Sequence, residues 1–139
     1  MEHKNIKFVT VEQFFHIGGA NTDEIVKKFK RLIDSGIIDI SKAILCKIKY
    51  ILICNNSDEG PVNIYFSDGT HVKLNLTAGD NRTDQQHTCD VLKLCGFDFD
   101  EKDILTPQEE VDITYYKDID EDTIYQFENM DGSYVYSTL

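Results

Sequence analysis

Four cysteines and two histidines, Cys46, Cys54, Cys89, Cys95, His71 and His87, are the side chains of this sequence best suited to soft-metal binding or to nucleophilic chemistry. Structural zinc sites draw thiolates from pairs two to four residues apart. Here Cys46 and Cys54 are eight apart, Cys89 and Cys95 six, and only His87-Thr88-Cys89 is close, so no zinc site is expected. An even spacing puts Cys46 and Cys54 on one face of an extended run, where thiols serve as small apolar side chains. A Cys–His couple needs only neighbours in space, but no local signature singles out Cys89 or Cys95, and both read as buried helix thiols. No catalytic residue, metal or cofactor is expected.

Hard-cation chemistry is the next test. The acidic stretches DFDEKD (98–103) and DIDED (118–122) supply oxygens, yet neither fits the EF-hand loop, which needs glycine at its sixth position and a bidentate Glu at its twelfth. From Asp98 the sixth residue is Asp103; from Asp118 it is Thr123 and the twelfth is Asn129. A carboxylate site of another kind is left open by oxygens alone. Gly18-Gly19-Ala20-Asn21 precedes a helix, a position that attracts anions. It lacks both the P-loop ending and the dinucleotide glycine spacing, and Asp23 and Glu24 would repel phosphate there, so it reads as a capping turn.

Charge placement is the more informative signal. The chain has 139 residues and a formal charge of -11; residues 1–96 hold 12 basic and 12 acidic side chains, so residues 97–139, with two lysines against 13 acids, carry the whole excess. Seventeen apolar or aromatic residues share that segment, more than a solvated tail requires, which predicts an acidic third folded onto the rest. Asp118, Asp120 and Asp122 alternate with Ile119 and Glu121; if extended, they would stand about 6.6–6.8 Å apart on one side, close to the phosphate repeat of a nucleic-acid strand. The expected partner-binding residues are Asp118, Asp120, Glu121 and Asp122, with Tyr115, Tyr116 and Tyr125 as anchors. Carboxylates would steer a basic protein partner while the tyrosines bury area at low rotamer cost. In size, acidity and lack of a catalytic pattern the chain resembles phage anti-defence and toxin-immunity proteins, which implies a small inhibitor, with nucleic-acid mimicry as one form of it.

The alternative is a small-ligand binding or sequestering protein, with Arg82, Asn81, Thr83, His71 and His87 as polar groups, since an Arg near a helix N-terminus can recognise carboxylate or phosphate. Direct nucleic-acid binding is disfavoured by the charge unless one basic face escapes the average. The most apolar stretch, residues 37–54, is broken by Asp39, Lys42, Lys47 and Lys49, against a membrane span. The opening MEHKNIKFVTVEQFF has no signal-peptide pattern, and the expected location is cytoplasmic.

The elements that must position these residues follow from periodicity. Residues 5–9 read as a short strand. Ile25, Val26, Phe29, Leu32 and Ile33 keep helical spacing over 22–35, behind an Asn21 cap and ahead of Gly36. Alternation marks 37–40 and the run AILCKIKYILIC as β, and VNIYF-SDG-THVKLNL as a hairpin whose Asp-Gly supplies positive φ. A second helix is expected over 83–95 with Gly96 as its stop, then a loop and strands near 111–116, 123–128 and 133–137. The fold class is α+β: one domain over residues 1–139, a mainly antiparallel sheet packed against two helices.

Overall fold

A computed structural model describes residues 5–10, 12–51, 62–76, 83–106, 110–117 and 133–138. The order is β1 (Asn5–Thr10), β2 (Gln13–Ile17), α1 (Thr22–Asp34), a single 3-10 turn (Ile40–Lys42), β3 (Ala43–Ile51), β4 (Val62–Phe66), β5 (Thr70–Leu74), α2 (Thr83–Cys95), α3 (Glu101–Leu105), β6 (Glu110–Tyr116) and β7 (Ser133–Thr138). Five strands form a sheet in the order β2-β5-β4-β3-β6. β2 runs parallel to β5 and every other pairing in that sheet is antiparallel. β1 and β7 form a separate antiparallel pair, with Asn5 opposite Thr138. The fold is α+β, as the periodicity predicts.

Local chemistry explains the helices. Asn21 accepts the N–H of Glu24 at 2.9 Å while the Glu24 carboxylate accepts the N–H of Ala20 at 3.0 Å, a reciprocal cap that satisfies two donors at the start of α1. Both long helices stop in the same way. Gly36 and Gly96 each take φ +81°, and the N–H groups of Ile37 and Phe97 reach back to the carbonyls of Leu32 and Leu92, the bond pattern a left-handed glycine allows. In the β4–β5 hairpin Gly69 has φ +90° and Asp68 accepts the N–H of Thr70 at 3.0 Å, so the turn forms where the Asp-Gly pair predicts it.

Apolar side chains from α1 (Ile25, Val26, Phe29) and α2 (Cys89, Val91, Leu92) share one core cluster with Cys46, Ile48, Val62, Ile64, Val72, Leu74 and Val111 of the sheet. Full burial of a Phe, Leu or Ile is worth about 1.5–3 kcal/mol each, so this helix–sheet seam dominates stability. Phe97 and Ile104 join the same cluster, which folds the first half of the acidic third onto the rest; residues 118–132 lie outside the described residues.

Three details differ from the expectations. Residues 37–40 are not a strand: Ile37 and Ile38 both donate to Leu32, and Asp39 then caps the 3-10 turn through the Ser41 N–H. A third helix, α3, replaces the loop expected after residue 97, capped by Asp100, which accepts the Lys102 N–H at 3.0 Å. Residues 13–17, given no element in the sequence, are the parallel edge strand β2. Residues 52–54, at the end of the long β run, and the strand expected near 123–128 lie outside the described residues. Among the described residues no helix is long and apolar enough to cross a membrane.

Candidate functional site

Strand alternation gives the five-stranded sheet two different faces. Ile17, Val72, Leu74, Ile64, Cys46, Ile48 and Val111 point to the helices and belong to the core cluster, and Phe15 packs against it. On the other face, register places Phe14, His71, Tyr65, Leu45 and Tyr116 in one row, and His16, Lys73, Asn63, Lys47 and Thr114 in the next. His71 stacks on Tyr65 with ring centroids 4.3 Å apart and meets Phe14 edge-on at 4.9 Å, and its Nε2–H donates to Asn63 Oδ1 at 3.0 Å. Burial, and then Lys73 beside it, hold the His71 imidazole down to about 4, so it is a neutral, packed ring at physiological pH.

That geometry separates the histidines named for ligand binding. His71 lies on the face away from the helices, whereas His87 is on α2, where its Nδ1 shares a 2.6 Å hydrogen bond with the Thr22 hydroxyl of α1. The sheet stands between them, so one pocket cannot use both. Thr83 is the first residue of α2; Asn81 and Arg82 lie outside the described residues.

The thiols are placed as apolar side chains. Cys46, Cys89 and Cys95 are unpaired and buried. Burial raises Cys46 well above its ordinary range; it is the largest cause in pushing Cys89 up to about 11 and Cys95 up to about 12. Such thiols are protonated at neutral pH, the wrong form for a nucleophile or a zinc ligand. Among the described residues no three His, Cys, Asp or Glu side chains gather as a metal site. Cys54 lies outside the described residues.

The acidic end is built on α2, α3 and β6. β6 is an edge strand whose residues alternate: Val111 is buried, while Glu110 and Asp112 are exposed. Two lysines at this end are engaged within the fold. Lys93 pairs with Glu101, and Lys117 donates to the Cys95 carbonyl at 2.6 Å with its ammonium 5.3 Å from the centre of the Phe97 ring. Asp98 is exposed beside the α3 cap. The named tyrosines divide by parity. Tyr115 packs against the core and meets Phe99 edge-on at 5.8 Å, and burial, followed by Asp103, raises its hydroxyl. Tyr116 is 38% exposed on the opposite face. Asp118, Asp120, Glu121, Asp122 and Tyr125 lie outside the described residues.

Sequence reasoning missed two features. Lys117 is a lone lysine in an acidic run, and only the return of β6 beside the end of α2 reveals its capping role. The open edge of β2 was hidden because its parallel partner lies more than fifty residues further on, so no local pattern announces it. Comparison of the chain with protein-family models, with curated proteins and with solved structures finds no match.

Proposed function

We propose that this chain is a non-catalytic interaction protein that docks a basic protein surface through its acidic end, as a small inhibitor does. The observation that carries the reading is the division of charges around β6. Lys93 and Lys117 are drawn into internal contacts, while Asp98, Glu110 and Asp112 are exposed against the one exposed lysine of α3, Lys102, with Glu110 and Asp112 on the same strand as the part-exposed Tyr116. The excess of acids over lysines in this part of the chain supports a net negative field at the edge strand, the arrangement that accelerates encounter with a cationic partner and excludes anionic ones. Residues 118–122 follow β6 directly in the chain and add four carboxylates. Tyr116 supplies an amphipathic anchor of the type that dominates interface energetics.

Affinity capture from native-host lysate tests this reading, with wild type beside a variant carrying Asp98→Asn, Glu110→Gln, Asp112→Asn and the neutralised 118–122 acids. Asp100 is spared because it caps α3. Retention of one basic protein by wild type alone, released by salt, is the expected result. Equal retention by the variant would contradict the proposal.

A further inference from the structure

The opposite end of the sheet carries a second surface of opposite character. β2 is the other edge strand, and its sequence, QFFHI, contains neither a formal charge nor proline, the devices that normally blunt an open edge. Ile17 directs its carbonyl to the Asn75 N–H of the neighbouring segment at 3.1 Å. By alternation the backbone groups of Phe14 and His16 therefore face outward, and among the described residues no strand pairs with them. The Phe14 ring is 53% exposed, an unusual placement for a large apolar side chain on an edge.

Beside this edge a cavity of about 330 Å³ opens between β2 and α1. Its floor is apolar, from Phe15, Ile17 and Leu32, and its cations are Lys28 and Arg31. Lys28 is partly engaged, donating to the Gly18 carbonyl at 2.8 Å and pairing with Glu24 at 3.4 Å. Arg31 is exposed; it lies within the electrostatic reach of Glu24, and among the described residues no salt bridge or side-chain hydrogen bond holds its guanidinium. From β2 to β6 is four strand spacings, or about 19 Å at about 4.8 Å each. That is roughly two Debye lengths at physiological salt, so the acidic end does not cancel the local field at these cations.

We propose that the β2 edge and the β2–α1 groove bind an extended acidic–apolar segment of a partner protein, which adds to the sheet as a sixth strand. Backbone bonding to Phe14 and His16 supplies affinity without sequence preference, and the groove supplies selection. One apolar side chain of the segment enters the Phe15–Ile17–Leu32 floor. An acidic group two residues away, about 6.6–6.8 Å along a strand, meets the Arg31 guanidinium, which binds carboxylates in a bidentate fork. Charge complementarity selects an acidic segment over a basic one, and the unpaired backbone selects a peptide over a free carboxylate-bearing small molecule.

Fluorescence anisotropy on the full chain tests this with three labelled probes: a Val-Thr-Glu-Thr-Val-Thr hexapeptide (the Val-Glu peptide), whose Val and Glu two residues apart share one face, its Val-Lys counterpart with lysine in place of that glutamate, and the Val-Glu peptide N-methylated on the N–H groups that would face β2. Saturable binding of the Val-Glu peptide is expected, weakened at least tenfold by lysine for glutamate, by N-methylation, and by Arg31→Glu. Arg31 is a surface position, and circular dichroism checks that the variant is folded. Equal binding of the N-methylated peptide would show that no strand is added, and equal binding of the lysine peptide or by Arg31→Glu would remove the charge selection. No saturable binding of the Val-Glu peptide at millimolar concentration would overturn the proposal outright.

Discussion

The ammonium of Lys117 donates a 2.6 Å hydrogen bond to the carbonyl of Cys95, joining the end of β6 to the end of α2. The backbone N–H of the same residue donates to Ile44 at 2.9 Å, so Lys117 also extends the pairing of β6 with β3. A cation at a helix C-terminus meets unpaired carbonyls and the negative end of the helix dipole, and the Phe97 ring beneath it adds attraction. Lys117→Met should lower unfolding free energy by about 1–2 kcal/mol, with Lys117→Arg losing less. Urea midpoints at constant slope measure this; a Met variant as stable as wild type would show that the cap carries nothing.

The buried thiols make a second prediction. With Cys54 replaced by serine, Cys46, Cys89 and Cys95 should resist a thiol reagent in the native state and react fully in denaturant, because burial raises all three and the thiolate is the reacting form. Their native labelling rate should track unfolding free energy across mild urea. A single fast thiol at neutral pH would contradict the placement of that cysteine in the core.

His71 gives the fold a pH dependence whose sign follows from its surroundings. Its folded value of about 4 lies below the ordinary 6.5, so the unfolded chain binds the proton more tightly. The stability associated with the neutral ring is therefore present above pH 6.5 and is lost as pH falls from 6.5 through 4. Because the ring is only half-buried, solvent screening reduces the full shift to an expected loss of about 1 kcal/mol between pH 7.5 and 5. His71→Phe, which keeps the stack on Tyr65, should flatten that part of the profile relative to wild type. An unchanged slope would assign the dependence to other groups.

Legibility in the sequence followed the range of each signal. α1, α2 and the β4–β5 hairpin were readable because Asn21, Gly36, Asp68-Gly69 and Gly96 act within a few residues of the elements they bound. α3 was not, since one turn carrying Ile104 and Leu105 is too short for a helical period to register. Residues 37–40 are as apolar as a strand, yet the bonds of Ile37 and Ile38 back to Leu32 hold them in the helix stop. At the candidate site, neighbours such as Tyr115 and Tyr116 look equivalent in sequence, and only the register of β6 on β3 sends one to the core and the other outward. The separation of His71 from His87 likewise depends on which face of the sheet the helices cover.

The most direct test of the acidic end as a docking surface is calorimetric titration of the captured basic partner across about 50–500 mM salt, where screening shortens severalfold. Wild-type affinity should fall at least tenfold over this range, and the variant neutralised at Asp98, Glu110, Asp112 and the 118–122 acids should start near the wild-type high-salt value. Salt-independent affinity, or a variant that binds as tightly as wild type at low salt, would contradict it.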